Sequence, residues 1–292
     1  MGTDVQPQLV SVLTPSFNQG RFLADCLRSV REQTYTKIEH IVMDGGSTDG
    51  SLEVLRQAAG SIVWESSPDN GQSDALNRAL GRSQGDIIGW LNSDDAYYKP
   101  DIVGKVVEVF SKHPEVDVVY GHAALVNDRG LILHTIWVPP FNSSLLRHDT
   151  FIIQPAAFIR RSAIAQFFVD ENFQCAMDRE LWLRLSTGHR FKRVPWILAI
   201  DRHHLGRKGV AMRKTAELEA LKLKKRYRIR IDHGLPLKPL RILKRWIGMG
   251  LVPEALTGPF AFSARSDGLI KVIVRQLAMP RSLMPVGRSM HI

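Results

Sequence analysis

The stretch Gly85-Asp86-Ile87-Ile88-Gly89-Trp90-Leu91-Asn92-Ser93-Asp94-Asp95 decides how this chain is read. A short apolar run, bounded by Gly and closed by paired carboxylates, has the pattern of a strand buried on both faces. Such strands sit in parallel sheets, and in open α/β sheets ligands bind outside their carboxyl ends. Two adjacent Asp residues are costly to hold close together unless a cation or hydrogen-bond donors compensate them. A hard divalent ion with oxygen ligands, shared with substrate phosphates, is the usual compensation. A solvated turn after a strand also favours Asp, so the reading depends on what the neighbouring strand ends carry.

Working outward, the pattern recurs. Residues 9–14, 38–43 and 62–64 read as strands, and 21–32, 49–59 and 71–80 as helices between them. Residues 101–110 read as a further helix and 116–120 as a strand. Alternating β and α units imply a mostly parallel sheet with helices on both faces. The upstream strands end in Thr14-Pro15-Ser16-Phe17-Asn18, in Asp44-Gly45-Gly46-Ser47-Thr48-Asp49-Gly50 and in Asp69-Asn70-Gly71-Gln72-Ser73-Asp74-Ala75-Leu76-Asn77. Phe17 offers a flat face for a base, the Gly pair lets backbone approach a ligand, and Asp44 can accept bonds from a base or ribose. Independent turns would not gather acids at consecutive strand ends. Neither a GxGxxG fingerprint nor a Walker A loop is present.

From residue 121 the alternation breaks. Residues 156–160 and 194–200 read as strands around a helix at 179–187. Leu181, Trp182 and Leu185 give that helix a buried face and place Asp178 at its start, where a carboxylate meets positive dipole density. Residues 1–205 form the expected domain, and 206–292 a basic helical C-terminal extension. Residues 202–245 hold 15 Lys and Arg against 3 Asp and Glu, so the net charge of +10 belongs to that segment. Met212, Ala216, Ala220, Leu223 and Tyr227 share one helical face there, and Leu240, Leu243, Ile247 and Leu251 a second. Basic amphipathic helices lie on anionic membranes. Little aromatic interleaving accompanies the charge, so nucleic acid is not the favoured partner.

Cys26 and Cys175 have no CxxC spacing, which suggests a reducing compartment. The N-terminus lacks a signal-peptide pattern, and no apolar run approaches the roughly 18 residues of a membrane span. Met1-Gly2 begins like an acylation site, but Gln6 stands where Ser or Thr is required. The expected location is cytoplasmic, peripheral on the inner face of the membrane.

The ordered set T-P-S-F-N, D-G-G-S-T-D-G, D-N-G-x-x-D-A-L-N and G-D-I-I-G-W-L-N-S-D-D resembles family 2 glycosyltransferases of the A-type fold, over residues 9–205. The likeness is greatest to bacterial transferases that build capsule, O-antigen or exopolysaccharide. It implies a single Rossmann-like domain, with residues 9–120 as the nucleotide-sugar half and 121–205 as the acceptor half. It also implies a nucleotide-sugar donor (a UDP-sugar favoured), a saccharide or lipid-linked acceptor, and a divalent metal, Mn²⁺ or Mg²⁺. Donor-binding residues would be Thr14, Pro15, Phe17, Asn18, Asp44, Asp69, Gly71, Asp74, Asn77, Asn92, Ser93 and Asp94. Asp94, Asp95 and His204 would hold the metal, and Asp178, preceding E-L-W-L-R-L, would be the general base. Asn92 stands where the family's D-x-D has its first acid, and Gly45 where many relatives carry a second acid. Arg202, Arg207 and Lys208 could neutralise a leaving diphosphate. The rival readings are a nucleotidyltransferase and a non-catalytic nucleotide- or nucleic-acid-binding protein.

Overall fold

The computed structural model describes residues 8–165 and 167–229. The first half alternates as expected: β1 (Val10–Ser16), α1 (Gly20–Arg31), β2 (Ile38–Asp44), α2 (Ser51–Ala58), β3 (Val63–Ser66), α3 (Gln72–Arg82) and β4 (Ile87–Trp90). A short β5 (Ala96–Tyr97), α4 (Ile102–Lys112), β6 (Val118–Val126), β7 (Ile132–Ile136) and α5 (Ser143–His148) follow. Then come β8 (Ala157–Arg160), α6 (Met177–Leu185), β9 (Phe191–Arg202), α7 (Lys208–Ala211) and α8 (Arg213–Arg226).

The strands form one sheet in the order β3-β2-β1-β4-β8-β6-β9-β5, with β7 on β6. The β3-β2-β1-β4 half is parallel throughout. There the apolar runs bury both faces: Leu13 and Ile88 pack under α3 and α6, whereas Val12 and Ile87 pack against α1 and α4. Beyond β4 the order departs from simple alternation. β8 enters antiparallel between β4 and β6, after a tight helical turn over Gln154–Ala156 that contains Pro155. The strand expected at 116–120 therefore does not border β4. The result is a mixed α/β sheet whose parallel half carries the acid-bearing strand ends.

Gly85 shows how closely β4 enters. A Cβ there would stand 2.6 Å from the Ser11 nitrogen and 2.8 Å from the Leu9 carbonyl oxygen, both backbone atoms. Gly85→Ala is expected to destabilise the fold by about 1–3 kcal/mol, the usual cost of overpacking. A urea midpoint unchanged from the parent would contradict this.

α8 lies beyond residue 205, in the expected basic helical extension, and packs on the domain. Its apolar face turns onto the main core: Leu223 is fully buried there and Ile229 nearly so. Arg226 pairs with Asp170 at 2.5 Å, and the Tyr227 hydroxyl donates to Glu180 Oε1 at 2.7 Å. The stripe of Met212, Ala216, Ala220, Leu223 and Tyr227 thus serves the domain, because burying it on the core removes it from water. The second amphipathic pattern, around Leu240–Leu251 in sequence, lies outside the described residues. Among the described residues no helix is long and apolar enough to cross a membrane.

Candidate active site

The carboxyl ends of β1 to β4 meet at one edge. Sheet register sets Ser16 beside Asp44 and Asp44 beside Ser66. Asp44 is buried, and Oδ1 accepts from the Ser47 hydroxyl at 2.6 Å. Oδ2 accepts from the Ser47 and Gly46 amides at 2.8 and 3.1 Å and from the Ser66 hydroxyl at 2.7 Å. The carboxylate expected to meet a base or ribose therefore organises its own turn. Asn18, in the left-handed region at φ 51°, ties the first loop to that turn. Its N–H donates to Ser47 Oγ at 2.7 Å and its Oδ1 accepts from the Thr48 amide at 2.8 Å.

Phe17 stands 60% exposed at this edge, whereas Pro15 is buried. Thr14 does not face a ligand: its hydroxyl lies 2.9 Å from His40 Nε2 in the interior, where burial pushes the imidazole down to about 3. The hydroxyl of Ser16, by contrast, is buried at the edge without a hydrogen-bond partner. Nothing in the sequence singled it out except its place inside the T-P-S-F-N motif.

The third loop is built around its own acids. Asp69 Oδ1 accepts from the Gly71 amide at 2.8 Å, with Gly71 at φ 104°. Asp69 Oδ2 lies 2.8 Å from where a Cβ on Gly45 would stand, so Gly45 makes room for a carboxylate from the next strand end. Asp74 accepts from the Asn70 amide at 3.0 Å. Asn77 is corrected. Its Oδ1 receives the Phe168 and Val169 amides, and its Nδ2 donates to the Val169 carbonyl and to Glu171. Lying on the second turn of α3, it fastens residues 168–171 instead of reaching the strand edge.

At the end of β4, Asn92 is a junction. Its Oδ1 accepts from Trp90 Nε1 at 2.8 Å and Gln72 Nε2 at 2.7 Å, and its Nδ2 donates to Gln154 Oε1 at 2.8 Å and Asp95 Oδ2 at 3.2 Å. Ser93 is buried behind it. Asp94 and Asp95 then serve different partners. Asp94 Oδ2 lies 2.9 Å from His204 Nε2. Asp95 is buried and accepts from the Arg202 amide at 3.0 Å, which ties the turn to the end of β9. Burial first, then the charges of Asp94 and Asp201, hold its carboxyl well above the usual range.

Asp94 and His204 bring one carboxylate and one imidazole together at this edge. Among the described residues no cluster of three or more His, Cys, Asp or Glu forms a cage. One carboxylate and one imidazole fit an ion that completes its shell with substrate phosphates and water.

Beside this edge opens a cleft of about 210 Å³, whose lining includes Gln72, Asn92, Asp178, Asp201, Arg207 and Lys208. Asp178 stands in the first turn of α6, and Oδ1 accepts the Arg179 amide at 2.7 Å. Burial raises its carboxyl above the ordinary value, against the lowering effect of Arg179. Arg207 pairs with Asp201 at 2.8 Å, and Lys208 reaches Gln72 Oε1 at 3.4 Å. Burial lowers the Lys208 ammonium pKa, opposed by Cys175, then Glu219 and Asp69. Arg202 is corrected: its guanidinium donates to the Asp94 carbonyl and to Asp25 and lies 5.0 Å from the Phe22 ring centroid. Asp201 and Gln154 are site residues that the sequence reading did not assign. Asp201 carried the same signal as the others, an acid at the carboxyl end of a strand.

Comparison with known proteins identifies the family and the fold. The description of Glycosyl transferase family 2 matches residues 11–168. The chain is 36% identical over 182 residues to an uncharacterised glycosyltransferase of Mycobacterium tuberculosis (strain ATCC 25618 / H37Rv), covering 61% of this chain and 68% of that protein. It is 30% identical over 188 residues to the chondroitin synthase of Pasteurella multocida (strain Pm70), covering 63% of this chain but only 19% of the synthase. Among solved structures, the fold is similar to the mannosyltransferase PcManGT of Pyrobaculum calidifontis, in complex with GDP-Man and Mn²⁺. The TM-score is 0.58 at 17% identity, over 95% of this chain and 82% of that one. With the family match over residues 11–168, a relative 36% identical over most of its length and the acid-lined edge of its parallel half-sheet, the chain belongs to glycosyltransferase family 2 and is a glycosyltransferase.

Proposed function

We propose that the protein moves a sugar from a nucleotide-sugar donor to a hydroxyl of a saccharide or lipid-linked acceptor, with inversion, in bacterial surface-polysaccharide synthesis. The observation that carries this reading is the single cleft joining the end of β4, the start of α6 and the cations after β9. Phe17, Asn18, Ser16 and the Asp44 turn would receive the base and ribose. Asp94 and His204 would hold a divalent ion, Mn²⁺ or Mg²⁺, which when bound supplies positive charge to the donor diphosphate. Arg207 and Lys208 add cationic groups beside the departing diphosphate.

Asp178 takes the proton from the acceptor hydroxyl. That oxygen forms its bond to the anomeric carbon as the bond to the diphosphate oxygen breaks on the opposite face. With Asp178 as the base and the acceptor oxygen itself attacking the anomeric carbon, the reaction is a single displacement and configuration inverts. The raised carboxyl of Asp178 suits a base working near neutral pH. A UDP-sugar is the first donor to test, and PcManGT with GDP-Man makes GDP-mannose the second. A thermal-shift panel of UDP- and GDP-sugars with Mn²⁺ tests the donor assignment. Stabilisation by none of them would refute it.

The protein is proposed to work in the cytoplasm, peripheral on the membrane. α8 still shows solvent Leu218 and Leu221 beside exposed Lys214 and Lys225. Because α8 also belongs to the core, the full chain is the proper test object. It is expected to sediment with phosphatidylglycerol vesicles at low salt and to be released as salt rises, since each basic side chain contributes about 1 kcal/mol and is screened. Full chain that stays in the supernatant at low salt would refute membrane association.

A further inference from the structure

We infer that Glu219, on the helix that follows the acceptor half, is a positioning residue for Asp178. Glu219 is buried. Its Oε1 accepts the Gln174 amide at 2.6 Å, and its Oε2 accepts the Cys175 and Ala176 amides, each at 2.8 Å. These are the N–H groups of consecutive residues directly before α6, which begins at Met177. Ala176 is the N-cap, and its side chain makes no cap hydrogen bond. A helix N-terminus needs acceptors for its open N–H groups and favours a negative charge there. Here the carboxylate comes from 43 to 45 residues further along the chain and takes the N-cap amide of Ala176 with the two amides before it, so α8 fixes the chain's entry into α6.

The consequence for the site is direct. Gln174, Cys175, Met177 and Asp178 all line the cleft, and the clamped amides belong to the segment that aims them. Gln174 Oε1 also stands 2.7 Å from where a Cβ on Gly71 would lie, so the same segment abuts the donor-side loop. A carboxylate receiving several backbone N–H bonds is a strong and directional anchor, and small displacements of a catalytic group are costly to rate. Arg226–Asp170 and Tyr227–Glu180 hold α8 from its far end, and Leu223 seats it in the core. The two polar contacts act on Asp170 and Glu180, outside residues 174–176. The inference rests on the reading of Asp178 as base.

The test compares Glu219→Gln, Glu219→Ala, Leu223→Ala and Asp178→Asn in the full chain. Turnover is measured on whichever UDP- or GDP-sugar the parent protein hydrolyses fastest with Mn²⁺. Amide exchange of a peptide spanning 174–178 is followed by mass spectrometry, and affinity for UDP with Mn²⁺ by calorimetry. Both Glu219 variants are expected to speed exchange of those amides by roughly tenfold, as losing a charge-assisted hydrogen bond does. Both should lower kcat by roughly tenfold or more with nucleotide affinity unchanged, Gln less severely than Ala because it keeps one acceptor oxygen. Leu223→Ala should lower the melting temperature yet retain kcat well below it. Glu219 variants with parental kcat, while Asp178→Asn is inactive, would overturn the inference alone. A kcat loss that Leu223→Ala reproduces would overturn it as well. Asp178→Asn that stays active would overturn the base assignment and this inference with it.

Discussion

Asp178→Asn is expected to bind the nucleotide sugar as tightly as the parent and to lose transfer. The amide is nearly isosteric, so the first turn of α6 keeps its acceptor for the Arg179 amide, which Asp178 Oδ1 receives at 2.7 Å. What disappears is the group that accepts a proton, and general-base help is worth roughly 10²–10⁴-fold. The parent's pH profile provides an independent check. Burial raises the Asp178 carboxyl, so the ionised, active form is lost as pH falls through a value above the ordinary carboxylate pKa of about 4. The acidic limb of kcat should therefore lie above that value in the parent. Transfer by the Asn variant within tenfold of the parent would rule out the role.

Asp94→Ala is expected to abolish metal-dependent donor binding with the fold intact. It removes the carboxylate that faces His204 at 2.9 Å, leaving one imidazole where a hard cation prefers oxygen. Losing even an outer-shell partner costs roughly 10–100-fold in metal affinity, so losing this carboxylate should cost at least the upper figure. Calorimetry with UDP and Mn²⁺ reads it directly, and parental affinity would remove Asp94 from the metal site. Stability should move little, or rise, when no ion is present. After burial, Asp94 is the largest cause holding the Asp95 carboxyl above its usual range, ahead of Asp201. A carboxylate whose folded pKa is raised costs stability above its unfolded pKa, and easing that shift lessens the cost at neutral pH.

Much of the fold was readable because parallel strands buried on both faces leave a strong local signal. The runs around Val12–Leu13, Ile41–Met43 and Ile87–Ile88 have no polar alternation, and α1 carries its apolar residues at helical spacing. Turn residues at successive strand ends likewise announced that acids would gather at one edge. Register then brought Ser16, Asp44 and Ser66 side by side. Asp94, His204 and Asp178 were named from residue type and place, which local pattern and resemblance both supply.

Where each polar side chain points was decided only by tertiary structure. Thr14 and Asn77 sit inside the expected motifs, yet one bonds His40 in the interior and the other fastens residues 168–171. Asp94 and Asp95 are neighbours in sequence, but one faces His204 and the other is buried under the Arg202 amide. The insertion of β8 between β4 and β6 is a non-local pairing that no local period encodes. The same holds for α8. Its sequence shows a basic helix with one apolar stripe, and a stripe does not say what it will cover. Burial of Leu223 in the core and the clamp of Glu219 on residues 174–176 answer that. Sequence by itself determined the alternating strands and helices of the first half and which residue types reach the sheet's edge, because those follow from periodicity and turn chemistry within a few residues; the short elements β5, β7 and α5 leave no such signal. The partner of each carboxylate depends on donors that fold in from distant parts of the chain, and only the folded structure brings them within hydrogen-bond reach.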